Sequence, residues 1–206
     1  MKNTDNVGII AAISWNSNHW KKTATKTDID NSNFAYVKEN GWMHEDLNFA
    51  HEILPCEEDG TYVAYTPMFN NMPAPHESQN VEIVFFRSLN YHSNKQFIVG
   101  FYAHPYIDRY DRLVEHKLYE KYDWGNVAAA PEHIVYFKNA VEISNEIVLT
   151  TNFLPKGKKI GQQGFNYIHY DNVLKILDKA TELNPEDNKL KKIKFGFITD
   201  KFYKGF

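Results

Sequence analysis

The chain has 206 residues, enough for one sizeable domain and too few to expect two. Its net charge of −3, from 23 basic and 26 acidic side chains, excludes a global attraction to polyanions, so nucleic acid can be held only on a local basic face. The lone cysteine, Cys56, excludes an intrachain disulfide and a cysteine-based zinc site, and points to a reducing, cytoplasmic setting.

The first apolar run, residues 7–14, reads as a central strand with both faces buried. It is too short for a signal segment or a bilayer span. Residues 15–33, rich in Asn, Ser, Thr and Lys, read as a loop or short helix. Residues 34–38 read as a short extended piece. Residues 45–53 read as one or two helical turns with Leu47, Phe49, Ala50 and Ile53 inside. Residues 61–65 alternate like a strand, and 67–75 (PMFNNMPAP) form a loop. VEIVFFR (81–87) and QFIVGFYAH (96–104) are strands joined by the polar turn at 90–95, an antiparallel hairpin. Residues 109–121 carry charges at helical spacing. Residues 132–137 and 142–144 bracket a strand region. YDNVLKILDKA (170–179 and beyond) is the clearest helix, with Val173, Leu174, Ile176 and Leu177 on one face. Pro185 closes the segment after it, and 195–199 read as a final strand or tail. Several strands with few helices point to an α+β, barrel-like domain.

The densest candidate site is Ser14-Trp15-Asn16-Ser17-Asn18-His19-Trp20, directly after the first strand. Strand ends place pocket walls, indoles stack on planar ligands, and asparagine matches a base edge with a donor and an acceptor. The competing account is a loop folded over the core with its asparagines making turns. Trp42, after Gly41, adds a third aromatic plate. The adjacent Glu45 and Asp46 are read as charging a helix N-terminus. His44 and His51, with Glu45 and Glu52 nearby, raise a metal-assisted hydrolase or nuclease as the alternative function, but the HExxH spacing is absent. No nucleophile elbow or phosphate loop occurs, and the acidic neighbours of Cys56 disfavour its thiolate. No catalytic residue, metal or cofactor is therefore assigned. A protein-interaction domain with exposed aromatic anchors is a third reading. Lys156, Lys158 and Lys159 form one basic group, and the lysines from Lys189 to Lys204 form another. These are the places where a phosphate backbone can be held.

The hairpin VEIVFFRSLNYHSNKQFIVGFYAHPYI resembles the central hairpin of the PUA-like superfamily, which includes the EVE and YTH domains. KIGQQGFNYIHYDNVLKIL (159–177) is similar to the stretch leading into a late helix of EVE-like domains, and residues 7–20 would supply the first strand and one pocket wall. The resemblance implies a small curved β-barrel flanked by helices. It also implies a module that flips a modified, methylated base of DNA, or of RNA, into an aromatic pocket. It further implies the specificity part of a restriction or defence protein: a single domain over 1–206 at the N-terminus of a longer chain, working with a motor or nuclease domain or subunit. On that footing Trp15, Trp20 and Trp42 are aromatic plates and Asn16 and Asn18 read the base edge. Tyr102 and His104 face the same cavity with Trp124 nearby, and Lys156, Lys158 and Lys159 hold the backbone.

Overall fold

The computed structural model describes residues 6–69, 80–160 and 164–204, the side chains after residue 199 excepted. The loop expected at 67–75 lies outside the described residues from residue 70 on, as do the side chains of Lys201 and Lys204.

The chain folds as an α+β structure around an open sheet of five strands. In chain order these are β1 (Asn6–Ile13), β3 (Ile83–Asn90), β4 (Lys95–Ala103), β8 (Ile134–Ile143) and β9 (Phe165–His169), in spatial order β8-β4-β3-β1-β9. β1 and β3 are parallel, and the other pairings are antiparallel. Two small ladders lie outside this sheet, β2 (Tyr62–Ala64) with β7 (Val127–Ala129), and β5 (Tyr110–Asp111) with β6 (Trp124–Gly125). No closed barrel forms among the described residues. No helix among them is long and apolar enough to cross a membrane.

Both faces of the sheet are covered, which is why its central strands are continuously apolar. On one face Ile10, Phe85, Phe101 and Phe137 pack against the helices α4 (Tyr170–Leu183) and α5 (Asn188–Lys204). α4 presents Val173, Ile176, Leu177 and Ala180, a spacing that forms one stripe. The chain turns between the helices at Asn184, whose amide donates to the Asn139 carbonyl of β8 at 2.9 Å, and at Pro185. On the other face Ile9, Ala11, Phe86 and Tyr102 pack against irregular chain carrying Trp20, Leu47, Phe49 and Tyr62. Gly100 is required at the crossing. A Cβ there would stand 2.3 Å from the Val135 carbonyl and 2.8 Å from the Phe49 ring.

Several local expectations are corrected. Residues 34–38 are not extended. They enter the short helix α2 (Ala35–Asn40), closed by Gly41 at φ 72°, and this follows the equally short α1 (Lys26–Asp30). Residues 45–53 form no helix but a succession of turns, in which the amides of Asp46, Asn48, Ala50 and Ile53 reach back three residues while that of Phe49 donates to the Trp20 carbonyl; Leu47, Phe49 and Ala50 are inside, whereas Ile53 is exposed. Residues 109–121 form β5, a turn and a single 3-10 turn, since their charged side chains leave too few apolar groups to bury a helix. The strand region bracketed by 132–137 and 142–144 is one strand, β8 (Ile134–Ile143), preceded by a 3-10 turn (Pro131–His133) and followed by the helix α3 (Asn145–Thr151) that Ser144 caps. Residues 195–199 lie inside α5.

Candidate functional site

Beyond β1 the chain folds back over the sheet, and its polar side chains fasten that excursion internally. Ser14 N donates to the buried Glu45 carboxylate at 2.8 Å. Trp20, 1% exposed, sends its indole N–H to the Ser14 carbonyl at 3.0 Å and meets Trp15 and Phe49 edge-on. Asn16 accepts from Asn18 N and donates to both the Lys22 carbonyl and the Asp46 carboxylate. Asn18 donates to the Thr23 carbonyl. Asp28 gathers Ser17, Thr25 and the Tyr91 hydroxyl, tying the excursion to the β3–β4 hairpin. Burial pushes its carboxyl up, but the bonds from Ser17 and Thr25 outweigh that and hold it below the usual range. The 14–20 cluster is therefore a fastened loop: Trp20 is a core side chain and both donors of the Asn16 amide are engaged.

Tyr102 and His104 do not share a cavity with this loop. β4 runs against β3, so its C-terminal end lies beside Glu82, six residues along from the Ile13–Ser88 pair. At strand rise that separation is about 20 Å. Tyr102 is wholly buried and its hydroxyl donates to the Asn48 carbonyl. His104 is exposed, with its ring 5.0 Å from that of His133 and stacked over Phe197.

Trp42 is placed differently. Gly41 ends α2 in a left-handed turn and delivers the half-buried indole against Tyr36, His44 and Tyr122. Trp42, Tyr122 and Asp46 wall a cavity of about 360 Å³, together with Thr23, Ala24 and Ile29, and Lys117 and Lys121 stand at its edge beside Glu120. That volume lies within the usual range for ligand pockets. Asp46 is 1% exposed. Its Oδ1 accepts from Asn16 Nδ2 at 2.8 Å and from Ala24 N at 2.9 Å, and its Oδ2 accepts from the Tyr122 hydroxyl at 3.0 Å. An ionised carboxylate offers about four acceptor sites. Three are filled, which leaves one on Oδ2 for an incoming N–H. Burial pushes the Asp46 carboxyl up to about 7; the bonds from Ala24 and Tyr122 oppose the rise and the neighbouring Glu45 charge adds to it. Glu45, also raised by burial, and Asp46 head no helix, so they do not serve the dipole role expected of them. Of the sequence candidates, Trp42 and Asn16 meet around Asp46, and Trp15, Asn18, Trp20, Tyr102 and His104 do not line this cavity.

The histidine pair assembles no metal site. His44 Nε2 donates to the Trp124 carbonyl at 2.9 Å inside a cluster of rings formed by Trp42, Tyr65, Tyr122 and Trp124. His51 Nε2 faces the Lys189 ammonium at 3.5 Å, and burial together with that cation lowers its pKa to about 4. Among the described residues, no group of three or more His, Cys, Asp or Glu side chains is positioned to hold a metal ion. Cys56 is half-buried, and burial plus Glu57, Asp59 and Glu132 push its thiol up, as its acidic neighbours imply.

Lys156, Lys158 and Lys159 are exposed on the loop leading to Ile160, which lines a different and larger cleft. Sequence reasoning missed three residues that shape the cavities. Tyr122 carried no signal beyond its type. Asp46 stood next to Glu45 ahead of an apolar run, a pattern that suits a buried carboxylate as well as a helix start. Arg87 was the sole cation closing an apolar strand, and that was a readable sign. No family model matches the sequence, and no match was found among curated proteins or among solved structures.

Proposed function

We propose that this chain is a nucleic-acid-binding module that takes a modified base of DNA into the cavity between Trp42, Asp46 and Tyr122. One observation carries the reading: a half-exposed indole and a buried carboxylate with a remaining acceptor site wall the same concave space, with two lysines at its edge. Extruding a base from a duplex costs a few kcal/mol. Stacking on an aromatic face returns about 1–3 kcal/mol per base. The carboxylate accepts from an exocyclic amine, which cytosine and adenine carry and thymine lacks. Ile29 and Ala24 supply an apolar wall for a methyl substituent. Lys117 and Lys121 give the local positive charge that a chain of net charge −3 must concentrate in order to meet phosphates. The same reading takes the five-stranded sheet and its satellite ladders as a curved, PUA-like barrel. It also places the module in the cytoplasm, at the head of a restriction or defence protein whose chemistry comes from a motor or nuclease partner.

The test is a titration at one fixed salt concentration of matched duplexes, either unmodified or carrying 5-methylcytosine, 5-hydroxymethylcytosine or N6-methyladenine. One modified duplex is expected to bind roughly tenfold or more tighter than the unmodified one. Trp42→Ala abolishes that preference and Trp15→Ala preserves it. Equal binding of all duplexes, or a preference that survives Trp42→Ala, refutes the proposal.

A further inference from the structure

β1 and β3 run parallel and end together, and beyond their shared end the sheet opens into a cleft of about 760 Å³. That volume suits a small ligand. The cleft shares no lining residue with the Trp42 cavity. Its charges cancel, since Arg87 and Lys95 stand with Glu142 and Glu146. Each of the four is already engaged. Arg87 is only 4% exposed, and its Nη1 donates to Gln96 Oε1. Lys95 pairs with Glu142 at 3.0 Å. The exposed Glu146 accepts from the hydroxyl of Ser144, the cap of α3. The groups left open are amides. The side chains of Asn33 and Asn94 are exposed and make no hydrogen bond among the described residues. Gln96 gives its oxygen to Arg87 and keeps its Nε2 donors. Asn145 accepts from Ile160 N at 2.9 Å, which fixes its oxygen and leaves its Nδ2 donors. Beside these amides the half-buried Phe34, with Leu89, Ile143 and Ile160, forms an apolar wall.

We infer that this cleft binds a neutral mono- or disaccharide, with the apolar C–H face of a sugar ring on Phe34 and its hydroxyls on the amides of Asn33, Asn94, Gln96 and Asn145. A hydroxyl both donates and accepts, and so does a primary amide. Neighbouring hydroxyls on a sugar ring therefore match the side-by-side oxygen and NH2 group of Asn33 and of Asn94. Gln96 and Asn145, whose oxygens are taken, donate to sugar oxygens. An ionic ligand would give up its hydration and find every countercharge already engaged, which costs several kcal/mol. A wholly apolar ligand would strip water from the amides and leave them unpaired. A sugar has an apolar face and a polar edge on one small body, and the walls of this cleft present the same two surfaces.

The test is calorimetric titration of the whole chain with glucose, galactose, mannose and N-acetylglucosamine, with maltose, cellobiose, lactose and chitobiose, and with glucuronate, glucosamine, adenosine and cytidine as controls. At least one neutral saccharide is expected to bind with Kd below about 1 mM, and the charged sugars and the nucleosides roughly tenfold or more weaker. The decisive variant is the double substitution Asn33→Ala with Asn94→Gly. Both positions are exposed, and glycine suits the left-handed backbone of residue 94, at φ 54°, so the melting temperature stays that of the parent. Saccharide affinity falls roughly tenfold or more in that variant. Trp42→Ala leaves it unchanged, which separates this site from the base cavity. The inference is overturned if no neutral saccharide binds at that level, if a charged sugar or a nucleoside binds as tightly, if the double variant binds like the parent, or if Trp42→Ala removes the binding.

Discussion

Replacing Asp46 by asparagine changes how stability depends on pH, and the size of the change follows from where the carboxylate sits. Its pKa rises from an ordinary 3.8 to about 7 in the folded chain, with burial the leading cause. The folded state therefore keeps a proton that the unfolded state has already released, and stability falls as pH rises between those two values. A rise of that size corresponds to about 4 kcal/mol lost between about pH 4 and about pH 8. Asparagine keeps the shape. Its carbonyl still accepts from Asn16 and Ala24, and its amide can donate to the Tyr122 oxygen. It carries no charge to bury, so this contribution becomes flat. The assay is urea unfolding of both proteins at a series of pH values, taking the difference in unfolding free energy at each. Subtraction cancels the histidines, which both proteins share. The parent is expected to lose stability relative to Asp46→Asn steadily up to about pH 7 and to level off above it. A difference constant to within about 1 kcal/mol across the range would show that the carboxylate is not desolvated as the structure has it.

Trp20→Ala empties a core position under the 14–20 loop and should cost about 3–5 kcal/mol in chemical denaturation, whereas Trp42→Ala, at a half-buried cavity wall, should cost far less. Equal losses would contradict the separation of a core tryptophan from a site tryptophan. Gly100→Ala drives a methyl group against a backbone carbonyl that the β4–β8 ladder holds in place, so a loss of about 3 kcal/mol or more is expected in thermal or urea melts. His51 has its pKa lowered by burial and by Lys189 to about 4, so stability drops as pH falls from about 6.5 to about 4. His51→Gln should remove up to about 3 kcal/mol of that acid loss, read from melts across the same interval. If duplex binding uses the Asp46 carboxylate as acceptor, affinity for the preferred duplex should grow from about pH 6 to about pH 8 in the parent and stay level in Asp46→Asn, as binding isotherms at each pH would report.

The parts of the fold legible in the sequence are those whose pattern is local. β1, the β3–β4 hairpin and α4 each bury a stripe or an alternation that one segment can display by itself, and the structure places them at 6–13, 83–103 and 170–183. The misread segments depend on chain far away. The turns at 45–53 are shaped by bonds such as Asn48 Nδ2 to the Tyr65 carbonyl and Ser14 N to Glu45, and no local periodicity announces a partner tens of residues distant. The site shows the same division. Trp42 was found because a tryptophan after a glycine stands out. Trp20 was equally conspicuous but belongs to the core, and only its bond to the Ser14 carbonyl and its burial tell the two apart. Tyr102 and His104 were misplaced by direction, since a hairpin read without its neighbours does not say at which end of the sheet its second strand finishes.

The parallel pairing of β1 with β3 has a kinetic consequence. Joining β3 to β4 closes only the short turn after Asn90, but joining β1 to β3 closes a loop of residues 14–82. Loop-closure entropy rises with the logarithm of that length, and non-local pairings come slowly. The hairpin is thus in place early, and β1 docks late. Asn16, Trp42 and Asp46 all travel on this long connection, so the Trp42 cavity is complete only once that loop is shut. A ligand held there would favour the state in which that loop is closed.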